Sequence, residues 1–291
     1  MRLGGHCYTA SNTAELELLC EKLDAHGLSA ITAPWKLAEW TADQAAAHGE
    51  RARQLGLEIG EVGMWGNLLT DNVELRQQRI SQTRALLRNA DAMGCHCVVT
   101  LVGSKHPGDS PLSMHCDNYG DVCQREFREI VLRILDGLEL RRTKYVIEPW
   151  HNTFFYQPEE IRAFLDSVGH PAFGLHLDQM NLVSQTNFFR TTELINTTFD
   201  LLAEKVFAVH LKDIQHDPGH MFLKWDEVRI GEGVMDYDTY LKRLAKLPAD
   251  TPCFCEHFSS EADYIASFAT LHKLAEKVGT KFLRRHAASN G

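Results

Sequence analysis

Short runs of β-branched, aromatic and cysteine residues alternate with helical stretches along the whole 291-residue chain, and no other feature restricts its fold as much. The runs are Leu3–Tyr8, Ser29–Ala33, Leu57–Met64, Cys97–Val102, Tyr145–Glu148, Phe173–Asp178, Phe207–His210 and Pro252–Glu256. Between them, apolar residues recur at helical spacing, as in Leu16, Leu19, Cys20 and Leu23 behind a capping Asn12 or Thr13. Further helices are expected at Thr41–Leu55, Asp71–Met93, Asp121–Leu140, from Pro158, at Thr192–Lys205, Tyr237–Leu244 and Glu261–Val278. Each strand followed by a helix must run parallel to the next, because the crossover returns the chain to its starting edge. Eight such units predict an α/β fold of the (β/α)8 TIM barrel type, filling residues 1–291 as one domain. A doubly wound open sheet would carry GxGxxG after its first strand; here only Gly231-Glu232-Gly233 occurs, late and after a loop.

A formal charge of −9 disfavours a nucleic-acid partner, which needs clustered Lys and Arg. No apolar run is long enough for a membrane, and Met1-Arg2-Leu3-Gly4-Gly5-His6 does not read as a signal peptide. The eight cysteines include no CxxC pair; Cys95 with Cys97 and Cys253 with Cys255 alternate within strands. Reduced thiols in a cytoplasmic protein are therefore expected.

Four consecutive strands end at a metal-type donor: Glu148, Asp178, His210 and Glu256. Taken singly, each carboxylate reads equally as a helix cap and the histidine as a core residue. Together they fall on the face where barrels of this type keep their active sites. Three carboxylates and one imidazole form a hard donor set, suited to one divalent ion, Mn²⁺ first and Mg²⁺ or Co²⁺ as substitutes. Such an ion acidifies the C–H beside a sugar carbonyl and stabilises the enediolate, with Glu148 and Glu256 as acid and base. Isomerisation or epimerisation of a carbohydrate follows from that chemistry. A lyase on a sugar, glycoside or cyclitol would use the same site. Candidates for substrate contact are Trp65, Asn67 and Trp150 at strand ends, Lys212 on the parity of His210, His176 one layer below Asp178, and Arg229. His176 suits a role in orienting a ligand or in packing, and Lys212 or Arg229 suit salt bridges as well. His6 faces either the barrel or the helices; His106 and His115 read as solvated residues of the polar loop Gly103–Gly120. A second loop, Ile214–Arg229, reads as equally unstructured. There is no glycine-rich phosphate cradle, which favours an unphosphorylated sugar.

Ile147-Glu148-Pro149, Leu177-Asp178-Gln179-Met180-Asn181, Val209-His210-Leu211-Lys212-Asp213, Gly231-Glu232-Gly233 and Cys255-Glu256-His257 resemble the xylose isomerase-like barrel superfamily. The resemblance spans nearly the whole chain and is nearest to the sugar phosphate isomerase/epimerase branch with its ketose 3-epimerases. It implies one divalent metal on Glu148, Asp178, His210 and Glu256, with the two glutamates as acid and base, and a dimer or tetramer. Asn181 and His216 stand near places where the ketose 3-epimerases carry a substrate-binding His and Arg, so Asn181 becomes a candidate substrate contact. The branch also contains lyases. The related apurinic-site endonucleases need more histidines and a basic face, and a non-catalytic sugar binder would leave the ligand set without purpose.

Overall fold

The computed structural model describes residues 1–221 and 224–285. Strand β1 (Arg2–Gly5) leads into α1 (Thr13–Ala25), β2 (Ala30–Thr32) into α2 (Ala42–Gln54), β3 (Glu58–Met64) into α3 (Val73–Met93), and β4 (Cys97–Thr100) into α4 (Asp121–Leu135). The second half repeats the pattern: β5 (Lys144–Ile147) with α5 (Pro158–Val168), β6 (Phe173–Asp178) with α6 (Thr191–Leu202), and β7 (Val206–Leu211). A hairpin of β8 (Asp213–His216) and β9 (Trp225–Val228) precedes α7 (Tyr237–Leu244); β10 (Pro252–Cys255) and α8 (Glu261–Lys277) follow.

Eight strands form one parallel sheet in the order β1-β10-β7-β6-β5-β4-β3-β2. The two outermost strands meet through Ser29 N–H to Leu3 O at 2.9 Å and Thr32 N–H to Tyr8 O at 3.1 Å. Eight parallel strands thus form a nearly closed barrel ringed by helices, as the alternation predicts. Local chemistry starts the helices where expected. Asn12 Oδ1 accepts the Ala14 and Glu15 N–H groups, Thr41 and Gln44 form a reciprocal capping box, and Pro158 opens α5. Between barrel and helices, Phe164 packs among Phe127, Phe154, Phe155 and Phe173 at ring separations of 5.1–6.3 Å. Inside the barrel, Cys97, Val99, Val146 and Ala208 are fully buried, with Trp65 packed against them.

Three expectations are corrected. The first strand stops at Gly5 rather than Tyr8, because Tyr8 N–H turns back to Gly5 O at 2.9 Å. Helix α4 ends at Leu135, five residues short of Leu140. The loop Ile214–Arg229 is not structureless: it holds the antiparallel hairpin, with Asp213 opposite Val228 and His216 opposite Trp225. Its turn begins at Asp217, whose carboxylate accepts the Gly219 N–H at 2.8 Å. Trp225 then stacks on Phe188 at 5.5 Å and 11°, which fastens the hairpin to the segment between β6 and α6.

The floor of the barrel is filled by Phe254. A Cβ on Gly60 would stand 2.5 Å from the Phe254 ring and 2.6 Å from Pro252 Cβ, so neither can accept it without moving. Gly60→Ala should therefore cost about 1–3 kcal/mol in urea unfolding by overpacking. In a Phe254→Leu background the added cost should shrink, since the two sites share one space. Equal costs in both backgrounds would contradict this packing.

Candidate metal centre at the barrel mouth

The parallel register brings the four donors together. Asp178 ends β6 opposite His210 on β7, and His210 lies opposite Phe254, two residues before Glu256. Glu148 follows β5, and its N–H donates to Thr100 O at 2.9 Å. One donor atom from each of Glu148, Asp178, His210 and Glu256 lies within 4.8 Å of all the others. His210 Nδ1 stands 2.7 Å from Glu256 Oε1, 3.4 Å from Glu148 Oε1 and 4.0 Å from Asp178 Oδ2. None of the four residues is more than 4% exposed.

Three carboxylates at such separations repel one another strongly away from water. The chain supplies a cation: Lys212 Nζ lies 2.5 Å from Glu256 Oε1 and 2.8 Å from Asp178 Oδ2. Burial opposes its charge, but Asp178, Glu256 and Glu148 hold the ammonium well above the ordinary lysine range. His210 is likewise raised well above its usual value, burial being outweighed by Glu256, Glu61 and Glu148. Against burial, His210 lowers Glu148, and His210 with Lys212 holds Glu256 well below the normal carboxylate range. Asp178 goes the other way: burial pushes it up to about 6 despite Lys212.

The ammonium approaches Asp178 off the line of a hydrogen bond, so buried Oδ2 has no donor among the described residues. Three carboxylates against one ammonium leave a formal charge of −2 once His210 gives up the proton that a ligating imidazole cannot keep. An oxygen-rich donor set, an orphaned carboxylate oxygen and that charge all fit one divalent cation.

The surrounding residues fix these side chains. Asp178 Oδ1 accepts the Met180 and Asn181 N–H groups at 3.0 and 3.2 Å. Asn181 Nδ2 donates to Glu148 Oε1 at 3.0 Å, so Asn181 holds the carboxylate itself. Lys212 also lies over the Trp150 ring at 5.9 Å, which puts Trp150 beside the cluster. Asp213 turns away and accepts the N–H groups of Ile214, Gly231, Gly233 and Met235. That clasp explains Gly231-Glu232-Gly233: Gly231 has φ +87°, and a Cβ on Gly233 would lie 2.2 Å from Asp213 Oδ1.

Other candidates fall elsewhere. Both ends of the Asn67 amide are committed to backbone: Nδ2 donates to Ser104 O at 2.7 Å, and Oδ1 accepts Leu69 and Ser104 N–H. Asn67 thus staples two loops and is fully buried. Arg229 is half-exposed in a 2.6 Å ion pair with Glu232, a surface bridge rather than a pocket contact. His216 sits on the hairpin beside Phe188, and His106 and His115 face each other in the first loop at 6.5 Å.

Two residues escaped the sequence reading. Glu61, in the middle of β3, is 1% exposed, and three imidazoles surround it. His176 Nε2 lies 2.7 Å from its Oε2; His6 Nε2 and His210 Nε2 lie 2.5 and 3.1 Å from its Oε1. His6 thus faces the barrel interior, and His176 meets a carboxylate rather than solvent. Burial resists ionisation of Glu61, yet His210, His176 and His6 hold it well below the usual range. The second is Glu227 on β9, whose Oε1 lies 3.1 Å from Nδ1 of His257, a non-glycine residue at φ +63° next to Glu256. An acidic residue inside a buried strand was the available signal for Glu61; nothing local marked Glu227.

The family model for the xylose isomerase-like TIM barrel matches residues 20–279. No curated protein matches the sequence significantly. Among solved structures, D-psicose 3-epimerase with D-tagatose from Clostridium cellulolyticum H10 aligns over 96% of this chain and 100% of its own, with TM-score 0.67 and 13% identity. The probable 3-DHS dehydratase AsbF involved in petrobactin synthesis from Bacillus anthracis aligns over 90% and 93%, with TM-score 0.64 and 16% identity. A xylose isomerase-like TIM barrel protein from Mycobacterium smegmatis in complex with magnesium aligns over 92% and 91%, with TM-score 0.62 and 17% identity. At these identities the likeness establishes the fold.

The ammonium makes the pocket testable without a substrate. With divalent ions chelated, Lys212→Met should cost about 3–5 kcal/mol in urea unfolding, because it leaves buried carboxylates unpaired. Saturating Mg²⁺ should recover more stability in the variant than in the parent. Unchanged stability under chelation would show that Lys212 does not balance the cluster.

Proposed function

Because the chain belongs to the xylose isomerase-like TIM barrel family, we propose that it is a divalent-metal-dependent carbohydrate isomerase or epimerase. Glu148, Asp178, His210 and Glu256 would hold the ion, with Mn²⁺ or Mg²⁺ as the natural choices for this oxygen-rich set. When bound, such an ion polarises a sugar carbonyl and its neighbouring hydroxyl and makes the adjacent C–H acidic.

The observation that carries the reading is the pair of buried glutamates on either side of His210 Nδ1, at 3.4 and 2.7 Å. Glu148 Oε1 is occupied by Asn181 and His210, while Oε2 has no hydrogen-bond partner among the described residues. That free oxygen is the proposed base, taking the proton beside the carbonyl. Glu256, fixed through Oε1 by His210 and Lys212, is the partner that returns a proton. Trp150, beside Lys212, supplies the apolar wall against which a sugar ring packs. Trp65, partly buried against the cluster of Cys97, Val99, Val146 and Ala208, would extend that wall. A cytoplasmic homo-oligomer acting on a free, unphosphorylated sugar completes the proposal.

A second reading has its own support. Lys212 fixes an ammonium within the pocket, and an ammonium there can neutralise an oxygen leaving from the carbon next to the one deprotonated. The same base would then run a lyase reaction.

A panel of ketoses, aldoses and cyclitols with Mn²⁺ in D₂O separates the two. Solvent deuterium in recovered or epimerised sugar supports the isomerase; loss of water or another β-substituent supports the lyase. Glu148→Gln and Glu256→Gln should each reduce exchange by about 10²–10⁴-fold. Full exchange in either variant overturns the roles given to these glutamates.

A further inference from the structure

We propose that Glu61 is a positioning residue that aims two of the four metal ligands, His210 directly and Glu256 through His6. The inference rests on the metal-centre reading above and assigns a task to a strand, β3, that contributes no ligand. A carboxylate in a barrel interior is costly unless its oxygens are satisfied. Here the partners are three imidazoles carried by, or directly after, three different strands, β1, β6 and β7.

Each arm has a consequence. His210 Nε2 lies 3.1 Å from Glu61 Oε1, so the proton on that nitrogen points at the carboxylate and Nδ1 is left to face Glu148, Asp178 and Glu256. A carboxylate on the far nitrogen of a ligating histidine fixes both its tautomer and its ring orientation. His6 Nε2 lies 2.5 Å from the same oxygen, and its Nδ1 lies 3.5 Å from Glu256 Oε2, which ties the second ligand to the same hub. His176 donates from Nε2 to Glu61 Oε2 at 2.7 Å, and its buried Nδ1 has no partner among the described residues. Its ring meets that of His210 edge-on at 4.0 Å, which blocks rotation of the ligand ring. His176 and His210 stand at hydrogen-bond lengths and His6 is closer still, so both Glu61 oxygens are already engaged by donors.

Glutamine has nearly the same shape but only one accepting oxygen. In Glu61→Gln, its NH₂ must face either His176 or the pair His6 and His210, donor against donor. Isothermal titration of the full chain with Mn²⁺ reads the effect without turnover. Parent protein should bind one ion, and Glu61→Gln should bind one ion about 10–100-fold more weakly. His6→Asn, which removes a half-buried ring and only the Glu256 arm, should give a smaller loss and guards against a misfolded Glu61→Gln. In Mg²⁺-saturated, ¹⁵N-histidine-labelled protein, the buried Nε2–H signal of His210 should shift or vanish in Glu61→Gln, a change that a merely structural role would not produce. Parent-like affinity and an unmoved signal in Glu61→Gln would overturn the inference. Two ions in the parent and one in the variant would overturn it too, by making Glu61 a ligand of a second ion. Absence of Mn²⁺ binding by the parent would instead sink the metal-centre reading on which it stands.

Discussion

Mutual repulsion of three buried carboxylates is the constraint that the upper half of this barrel is built to satisfy. Glu148, Asp178 and Glu256 share one water-poor pocket, and each is at most 4% exposed. Such a group is stable only with counter-charge within a few ångströms. The chain provides His210 and Lys212 from one strand segment, two residues apart and therefore on the same side. Even so, the balance is incomplete. Among the described residues Asp178 keeps an oxygen without a hydrogen-bond donor, and one ammonium with one imidazolium does not match three carboxylates. A stability cost retained at one spot is the mark of a site rather than of a core.

The architecture turns that local problem into a convergent geometry. Parallel strands end on one face, so a donor placed after each apolar run arrives at the same mouth. Register does the fine placement: Asp178 opposite His210, and His210 opposite Phe254. Below the mouth, Glu61 and its three imidazoles form a second polar layer, and below that Phe254 seals the barrel between Gly4 and Gly60. The order from floor to mouth runs apolar ring, shared protons, then concentrated negative charge. Above it, the β8–β9 hairpin is held by Trp225 on Phe188 and by Glu227 on His257.

What was legible in the sequence was what local pattern encodes. Strand-length apolar runs ending in Glu148, Asp178, His210 and Glu256 announced both the barrel and the cluster, because period and punctuation are short-range signals. Helix starts at Asn12, Thr41 and Pro158 were readable for the same reason. Glu61 was not, since its partners lie 55, 115 and 149 residues away and only the closed barrel brings them together. Nor was the use of Asn67 as a staple legible, because an amide at a strand end suits a sugar and a loop equally; the fold bonds it to Ser104 and Leu69. The hairpin was missed because its four-residue strands carry Asp, Gln, His and Glu, with no apolar alternation to mark them. Asp217-Pro218-Gly219 was a fair turn signal, but without flanking strands it reads as one more polar loop.

The most direct measurement is a crystal structure grown with Mn²⁺, with anomalous scattering recorded at the manganese edge. The predicted result is one peak per chain, coordinated by Glu148, Asp178, His210 Nδ1 and Glu256, with Lys212 beside Glu256 at its margin. A map without a peak there, with Lys212 still bridging Asp178 and Glu256, would contradict the metal centre and leave the barrel alone standing.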